Sequence, residues 1–351
     1  MRLKGFGVLQ VEPTDYCNLR CKMCRPHRDS WAEIHGVPKG FLSLNLWQKI
    51  VDDLARQRVE FDHVIFQWLG DPLLHPNMDK LVAIAQRGIA NQVQYFRIDS
   101  NMILLDEKRM RHMVEACNGR TPLLLVASID AHSPEAYERV KGKDALSVVR
   151  KNLRRLLRIR NQIGADCPIN LQLQFVVQEG NAHETNDFLQ YWTDLLQCQG
   201  GEFWHDEIMF KRLSVDGGGA GQAEADRLYV QSVQQQGIRS GEYNGLQVCV
   251  WENRPWQRDD EHQEERNPCP ALWATPVIRH DGRLMMCCAD LQGDMSLGSL
   301  QEHSFLDLWN GTEAQRLRTE HLQGAFEGAC KHCGGINWYS LPERAGPVVQ
   351  I

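Results

Sequence analysis

Between residues 6 and about 210 the chain alternates two kinds of hydrophobic pattern. Short runs rich in β-branched and aromatic residues, such as "GFGVLQVEP" and "PLLLVASID", predict six strands at 5–13, 62–70, 93–100, 122–130, 168–177 and 202–210. Between them, apolar positions recur with helical spacing. In "LNLWQKIVDDLARQ" the residues Leu46, Ile50, Val51 and Leu54 fall on one face. The same spacing predicts helices over 45–57, 77–89, 107–117, 145–162 and 182–197, and "HSPEAY" offers Ser133 as an N-cap with Pro134 at the first helical position. Strands alternating with helices predict a parallel α/β sheet with right-handed crossovers, closed as a barrel or opened as a doubly wound sheet. In either form ligands collect at the carboxyl ends of the strands.

The alternation is expected to stop near residue 211, where "SVDGGGAGQAEADR" has the glycine and polar content of a linker. The expected organisation is therefore a core over 1–210, a connecting segment over 211–268, and a small cysteine-bearing domain with its tail over 269–351. In that last part "RHDGRLMMCC" predicts a hairpin turning at Asp281-Gly282, and "SFLDLWNGTEAQRLRTE" a helix.

Composition changes this picture little. The 351 residues carry a formal charge of −6, which gives no reason to expect nucleic acid or an anionic membrane surface as a partner. No apolar run approaches the ~18–20 residues that span a bilayer. The first residues lack a signal-peptide pattern, so a cytoplasmic location is expected.

The cysteines change it more. Twelve thiols in a reducing compartment point to metal ligands or catalytic groups rather than disulfides. "CNLRCKMC" places Cys17, Cys21 and Cys24 in a C-x3-C-x2-C loop just past the first strand, at the functional rim. Three ligands leave a metal centre with an open position, unless His27 completes a zinc site. A second set, Cys269, Cys287, Cys330 and Cys333, can close completely around a metal, with Cys288 beside Cys287 as a competitor. Cys117, Cys167 and Cys198 read as buried thiols. Cys249 is compatible with core packing, with an extra cluster ligand, or with a thiol that donates a hydrogen atom.

C-x3-C-x2-C after the first strand of such a domain resembles the radical S-adenosylmethionine (SAM) enzymes. The resemblance covers about 6–210 and implies a partial (β/α)6 TIM-like barrel. It implies a 4Fe–4S cluster on Cys17, Cys21 and Cys24, with SAM chelating the open iron. "GDP", Gly70, Asp71 and Pro72, stands where the family has a GGE-type motif that holds the SAM amino group; Asp71 departs from the commoner Glu. Ser100 and Asn101, Ser128 and Asp130, and Gln178 and Asn181 occupy the strand-end positions from which family members contact SAM. Each of these polar residues taken singly equally suits a turn or a cap. The C-x12-G-x4-C spacing followed by CxxC resembles the SPASM and twitch domains appended to these barrels, here a β-hairpin plus helix holding one auxiliary 4Fe–4S cluster.

The resemblance implies that reduced cluster and SAM yield a 5′-deoxyadenosyl radical that removes hydrogen from an unactivated carbon. An auxiliary cluster able to accept an electron implies oxidation of a small hydroxylated or sugar-like metabolite. Epimerisation, with Cys249 as donor, and modification of a ribosomal peptide are the alternatives; with the barrel starting near residue 6, no N-terminal leader-binding domain is expected. A non-enzymatic zinc or cluster module is the reading from a different class. A flavodoxin or ferredoxin is expected to deliver electrons. His205, Asp206 and Glu252 are candidates for a general base, and Trp68, Trp204 and Trp251 for pocket walls.

Overall fold

The computed structural model describes residues 6–24, 39–117, 121–199, 206–215, 219–243, 245–251, 268–291, 293–331, 333 and 335. The chain divides into two compact units, one of Met1–Tyr16, Ala32–Phe96 and Pro255–Ile351, the other of Cys17–Trp31 and Arg97–Arg254.

In the first unit, β1 (Phe6–Val11) pairs in parallel with β2 (Phe61–Phe66) on one side and with the short β9 (Val277–Ile278) on the other. β9 and β10 (Arg283–Met285) form the expected hairpin, and β11 (Ser296–Ser299) pairs antiparallel with β10. Gly282 takes φ +86° at the turn, a conformation that glycine adopts without steric penalty. Helix α1 (Leu44–Gln57) is capped by Ser43, whose hydroxyl accepts from Leu46 N at 3.2 Å, and ends at Arg58 in the left-handed conformation. Ile50, Val51 and Leu54 are buried as the spacing predicts, while Trp47 is buried in place of the expected Leu46, which is half-buried; the face packs against α2 (Met78–Ile89). The Trp47 indole also donates to Leu81 O at 2.9 Å. The predicted helix over 304–320 is broken into α8 (Phe305–Trp309) and α9 (Thr312–Leu322). Gly311 lies at the break, where any Cβ would meet Asp307 O at 2.7 Å.

β3 (Tyr95–Ser100) lies where the chain passes from one unit to the other. In the second unit, β4 (Leu123–Ser128), β5 (Ile169–Val177) and β6 (Glu207–Arg212) are parallel neighbours. The connecting helices are α4 (Pro134–Lys141), α5 (Leu146–Ile163) and α6 (Thr185–Gln199), with α3 (Glu107–Cys117) before β4. Ser133 caps α4 as read from the sequence, accepting from Ala136 N at 3.2 Å.

The alternation does not end at residue 211. After β6 the chain forms α7 (Gly219–Tyr229), the edge strand β7 (Gly241–Tyr243), and β8 (Leu246–Val250), which pairs in parallel with β6. Polar and glycine-rich as it is, the segment folds because Gln222 closes the turn, accepting from Val215 N at 2.8 Å and donating to Leu213 O at 3.0 Å. Tyr229, fully buried, then anchors α7 by donating to Phe210 O at 3.2 Å.

Alternation along the strands gives each a helix-covered face and an inward face. Leu171, Leu173 and Phe175 of β5 and Ile208 and Phe210 of β6 make the packed face, where Phe175 and Phe210 meet Phe188 of α6. The intervening residues point inward.

Candidate active site and metal centres

The cysteine loop is built by backbone, not by a helix or strand of its own. In the second unit it hangs on the C-terminal end of α4: Arg20 N donates to Lys141 O at 3.1 Å and Lys22 N to Val140 O at 3.2 Å. Gly142, at φ +76°, permits this approach, since a Cβ there would meet Arg20 O at 2.7 Å. Leu19 is buried as the anchor, while Cys17, Cys21 and Cys24 are half-exposed, and Cys24 N donates to Cys21 O in a turn at 3.0 Å.

The strand-end residues close around this loop. Asn101 donates to Asn18 Oδ1 at 2.7 Å, and its own carbonyl oxygen accepts from Ile103 N. Gln178 Nε2 lies 3.5 Å from Met23 Sδ. Ser100 Oγ accepts from Met102 N at 3.1 Å. Asp130, at φ +58°, forms a buried ion pair with Lys141, accepts from Ser128 Oγ at 3.2 Å, and accepts from Val176 N at 2.7 Å. Burial alone would lower the Lys141 pKa, but the charges of Asp130, Cys21 and Tyr137 more than offset it and hold the ammonium well above its ordinary value. Asn181 is fully buried, and its amide is engaged with Asp130 O, Val176 O and Gln178 N. Its side chain fixes the turn that carries Gln178.

In the first unit Gly70, Asp71 and Pro72 brace the segment that leads into Cys17. Asp71 N donates to Tyr16 O at 2.8 Å. A Cβ on Gly70 would lie 2.3 Å from Thr14 O and 2.5 Å from Tyr16 O. Asp71 caps the following turn, accepting from Leu73 N at 3.0 Å.

Four of the C-terminal cysteines, Cys269, Cys287, Cys288 and Cys333, lie near one another in the first unit. Cys287 and Cys288 follow β10; Cys287 is held above its ordinary pKa by its hydrogen bond to Cys288 and by burial, and Cys288 below by the same bond. The sulfurs of Cys333 and Cys269 act electrostatically on Cys288. Cys269 Sγ lies 3.6 Å from where a Cβ on Gly335 would stand, and Cys333 N donates to Cys330 O at 3.3 Å. Backbone N–H groups aim at two sulfurs, Ala289 N at Cys287 and Gly335 N at Cys333, each at 3.4 Å. Such bonds steady thiolate ligands of iron–sulfur centres. Trp68 donates from its indole to Cys288 O at 3.0 Å and packs with Val277 and Met285, a structural role beside this cysteine set.

Among the described residues no three His, Cys, Asp or Glu side chains converge tightly enough to chelate one metal ion. A zinc ion needs sulfurs that share one centre at about 2.3 Å. A cubane instead takes each thiolate on a different iron.

Three pairings were not visible in the sequence. Asp206 proves to be structural: Arg160 holds it in a buried bidentate pair, 2.8 Å from Nη1, and it accepts from Leu171 N. Glu207, by contrast, faces inward and accepts from Cys249 Sγ at 3.2 Å. Burial, then the Glu207 charge and that bond, push the Cys249 thiol up to about 12. Lys211 also faces inward, 4.9 Å from the Trp251 ring. His27, Trp204, His205 and Glu252 lie outside the described residues.

Comparison with known proteins agrees with this geometry. Residues 11–163 match the Radical SAM superfamily and residues 269–334 match SPASM, an iron–sulfur cluster-binding domain. The chain carries a Radical SAM domain over 11–163 and a C-terminal SPASM domain over 269–334. These domains imply SAM, its 4Fe–4S cluster and auxiliary iron–sulfur binding. A tungsten-containing aldehyde ferredoxin oxidoreductase cofactor-modifying protein of Pyrococcus furiosus is 26% identical over 53% of this chain and 48% of its own. A GTP 3′,8-cyclase of Synechocystis is 26% identical over 58% of this chain and 53% of its own. The chain thus spans about half the length of these curated relatives. Among solved structures, anSMEcpe with bound AdoMet aligns over 92% of this chain and 84% of its own at 15% identity, with a TM-score of 0.60, a likeness of fold. Among the described residues no helix is long and apolar enough to cross a membrane.

Proposed function

We propose that this radical SAM protein removes a hydrogen from a C–H bond of a small hydroxylated metabolite and oxidises it, with an auxiliary 4Fe–4S cluster on Cys269, Cys287, Cys330 and Cys333 accepting an electron. The observation that carries this reading is the inward face of the second unit. Register aligns Val126, Gln172, Glu207 and Gln247 in one row and Ser128, Gln174, Met209 and Cys249 in the next. The interior of a closed barrel is ordinarily packed with Val, Ile and Leu. Gln, Glu, Lys and Cys in those positions suit a polar ligand, not a packed core.

When bound, SAM and its reduced cluster supply the radical that abstracts hydrogen. The chain's own part is to bind and orient. Cys17, Cys21 and Cys24 hold the cluster and leave one iron to SAM. In the second unit the side chains of Ser128 and Gln178 are the ones offered to SAM, and Ser100, Asn101, Asp130 and Asn181 keep their strand ends in shape. A flavodoxin or ferredoxin supplies the electron.

The Cys249–Glu207 bond favours a second reading, epimerisation, because a thiol kept protonated is suited to giving back a hydrogen atom. Anaerobic reconstitution followed by incubation with SAM, dithionite and candidate polyols in deuterium oxide separates the two. Dehydrogenation predicts an oxidised product, two hydrogens lighter than the polyol supplied. Polyol returned with one carbon-bound deuterium and no oxidised product would establish epimerisation instead.

A further inference from the structure

The inward face holds groups that the SAM and cluster sites do not use. Lys211 occupies the row above Met209 and Cys249, opposite Val176 and against Trp251, where a Leu or Val would complete a packed layer. It is faced by Arg97 and Asp99 from β3, by Asp130 beyond β4, and by Glu207 on its own strand. Arg97 is itself committed to Asp99 through a bidentate pair at 2.5 and 2.6 Å. Asp130 is committed to Lys141. Two amides on β5 are incomplete: Gln172 Oε1 and Gln174 Oε1 are buried acceptors with no hydrogen-bond partner, and Gln172 is only 3% exposed. A buried acceptor without a donor is unfavourable unless a ligand supplies one. Acceptors of this kind call for hydroxyl or amine hydrogens.

We infer that Lys211 is the catalytic base of this interior, taking the hydroxyl proton of a neutral polyol or amino-polyol whose adjacent carbon has lost a hydrogen atom, while Gln172 and Gln174 accept from further hydroxyls of the same substrate. The inference rests on the dehydrogenation reading and adds the proton acceptor that it lacks. The step balances as follows: the O–H bond breaks, its proton goes to the amine lone pair, and the carbon–oxygen double bond forms. The surplus electron leaves to an iron–sulfur centre, which is reduced by one electron. Burial, with Arg97 as a second cation, pushes Lys211 down to about 8 against the pull of Asp99, Asp130 and Glu207. A base poised there is half-neutral near the pH at which it works.

Two measurements on the full-length protein test this. Competitive acetylation across pH 6–11, read by mass spectrometry of the peptide carrying Lys211, should give a midpoint near 8 before any substrate is added; a midpoint at 10 or above overturns the assignment. Lys211→Met and Lys211→Arg, each checked for parental iron content, should still cleave SAM but form oxidised product at least a hundredfold more slowly, since general-base catalysis contributes about 10²–10⁴-fold. The parent rate should rise with pH through about 8. Either variant oxidising polyol at the parental rate overturns the role of Lys211, whereas a parent that oxidises none overturns the reading beneath it.

Discussion

Single atoms decide whether the cysteine loop can form. Gly70 has carbonyl oxygens of Thr14 and Tyr16 where a methyl would go. Gly70→Ala should therefore destabilise the protein by about 1–3 kcal/mol through overpacking and lower iron loading at the adjoining loop, both read by denaturant titration and iron assay. Lys141→Met would leave the buried Asp130 carboxylate without its cation, and its expected effect is larger, about 3–5 kcal/mol. Cys249 gives a sharper test because it needs no cofactor. Its thiol should resist alkylation by iodoacetamide until about pH 12, and Glu207→Gln should bring the midpoint back toward 9. An unchanged profile in the variant would mean that Glu207 does not hold the thiol. At the auxiliary site, Cys287→Ala and Cys288→Ala discriminate the ligand. The glycine spacing favours Cys287, whereas Cys269 and Cys333 act on Cys288, and the true ligand is the one whose loss removes about four irons.

Among the elements, the outward faces were legible and the inward ones were not. Leu46, Ile50, Val51 and Leu54 announce α1 by spacing alone, although Trp47 takes the buried place expected of Leu46, and Ser133-Pro134 announces α4. The same logic failed at α7, where glycines masked a helix whose stability comes from Tyr229 and from the Gln222 side chain closing the turn. It failed again at Asn310-Gly311, which ends one helix and starts another within an unbroken apolar pattern. Lys211 was missed because the expected strand stopped at 210, and Glu207, within it, because a charged residue inside a barrel looks in sequence like one on its surface. One element junction carries a pH signature. Burial disfavours charging His280 between β9 and β10, but Glu12 at the end of β1, with Asp15 and Asp281, more than offsets this and raises its pKa. The folded form therefore binds the proton more tightly than the unfolded chain. The contribution to stability is complete below about pH 6.5 and fades as pH rises through the raised value. The thermal midpoint of the parent should exceed that of His280→Gln at pH 6 and converge on it by pH 9; a constant difference would mean the pair is not titrating.

For the molecule as a whole, the sequence disclosed its class through eight residues, because thiol ligands to a cluster must be close in one loop and that spacing survives without any knowledge of packing. The substrate left no comparable mark: the residues that would read it come from separate strands and meet only on folding. The account as a whole depends on three cysteines holding a cluster with one iron left to SAM. The direct measurement is the yield of 5′-deoxyadenosine and methionine after anaerobic reconstitution, dithionite reduction and addition of SAM, for the parent and for Cys24→Ala. The parent should produce the two in equal amounts with about eight irons bound, and the variant neither, while keeping the auxiliary cluster. A parent with its full complement of iron that leaves SAM intact, or one with zinc at the Cys17–Cys24 loop, would contradict it.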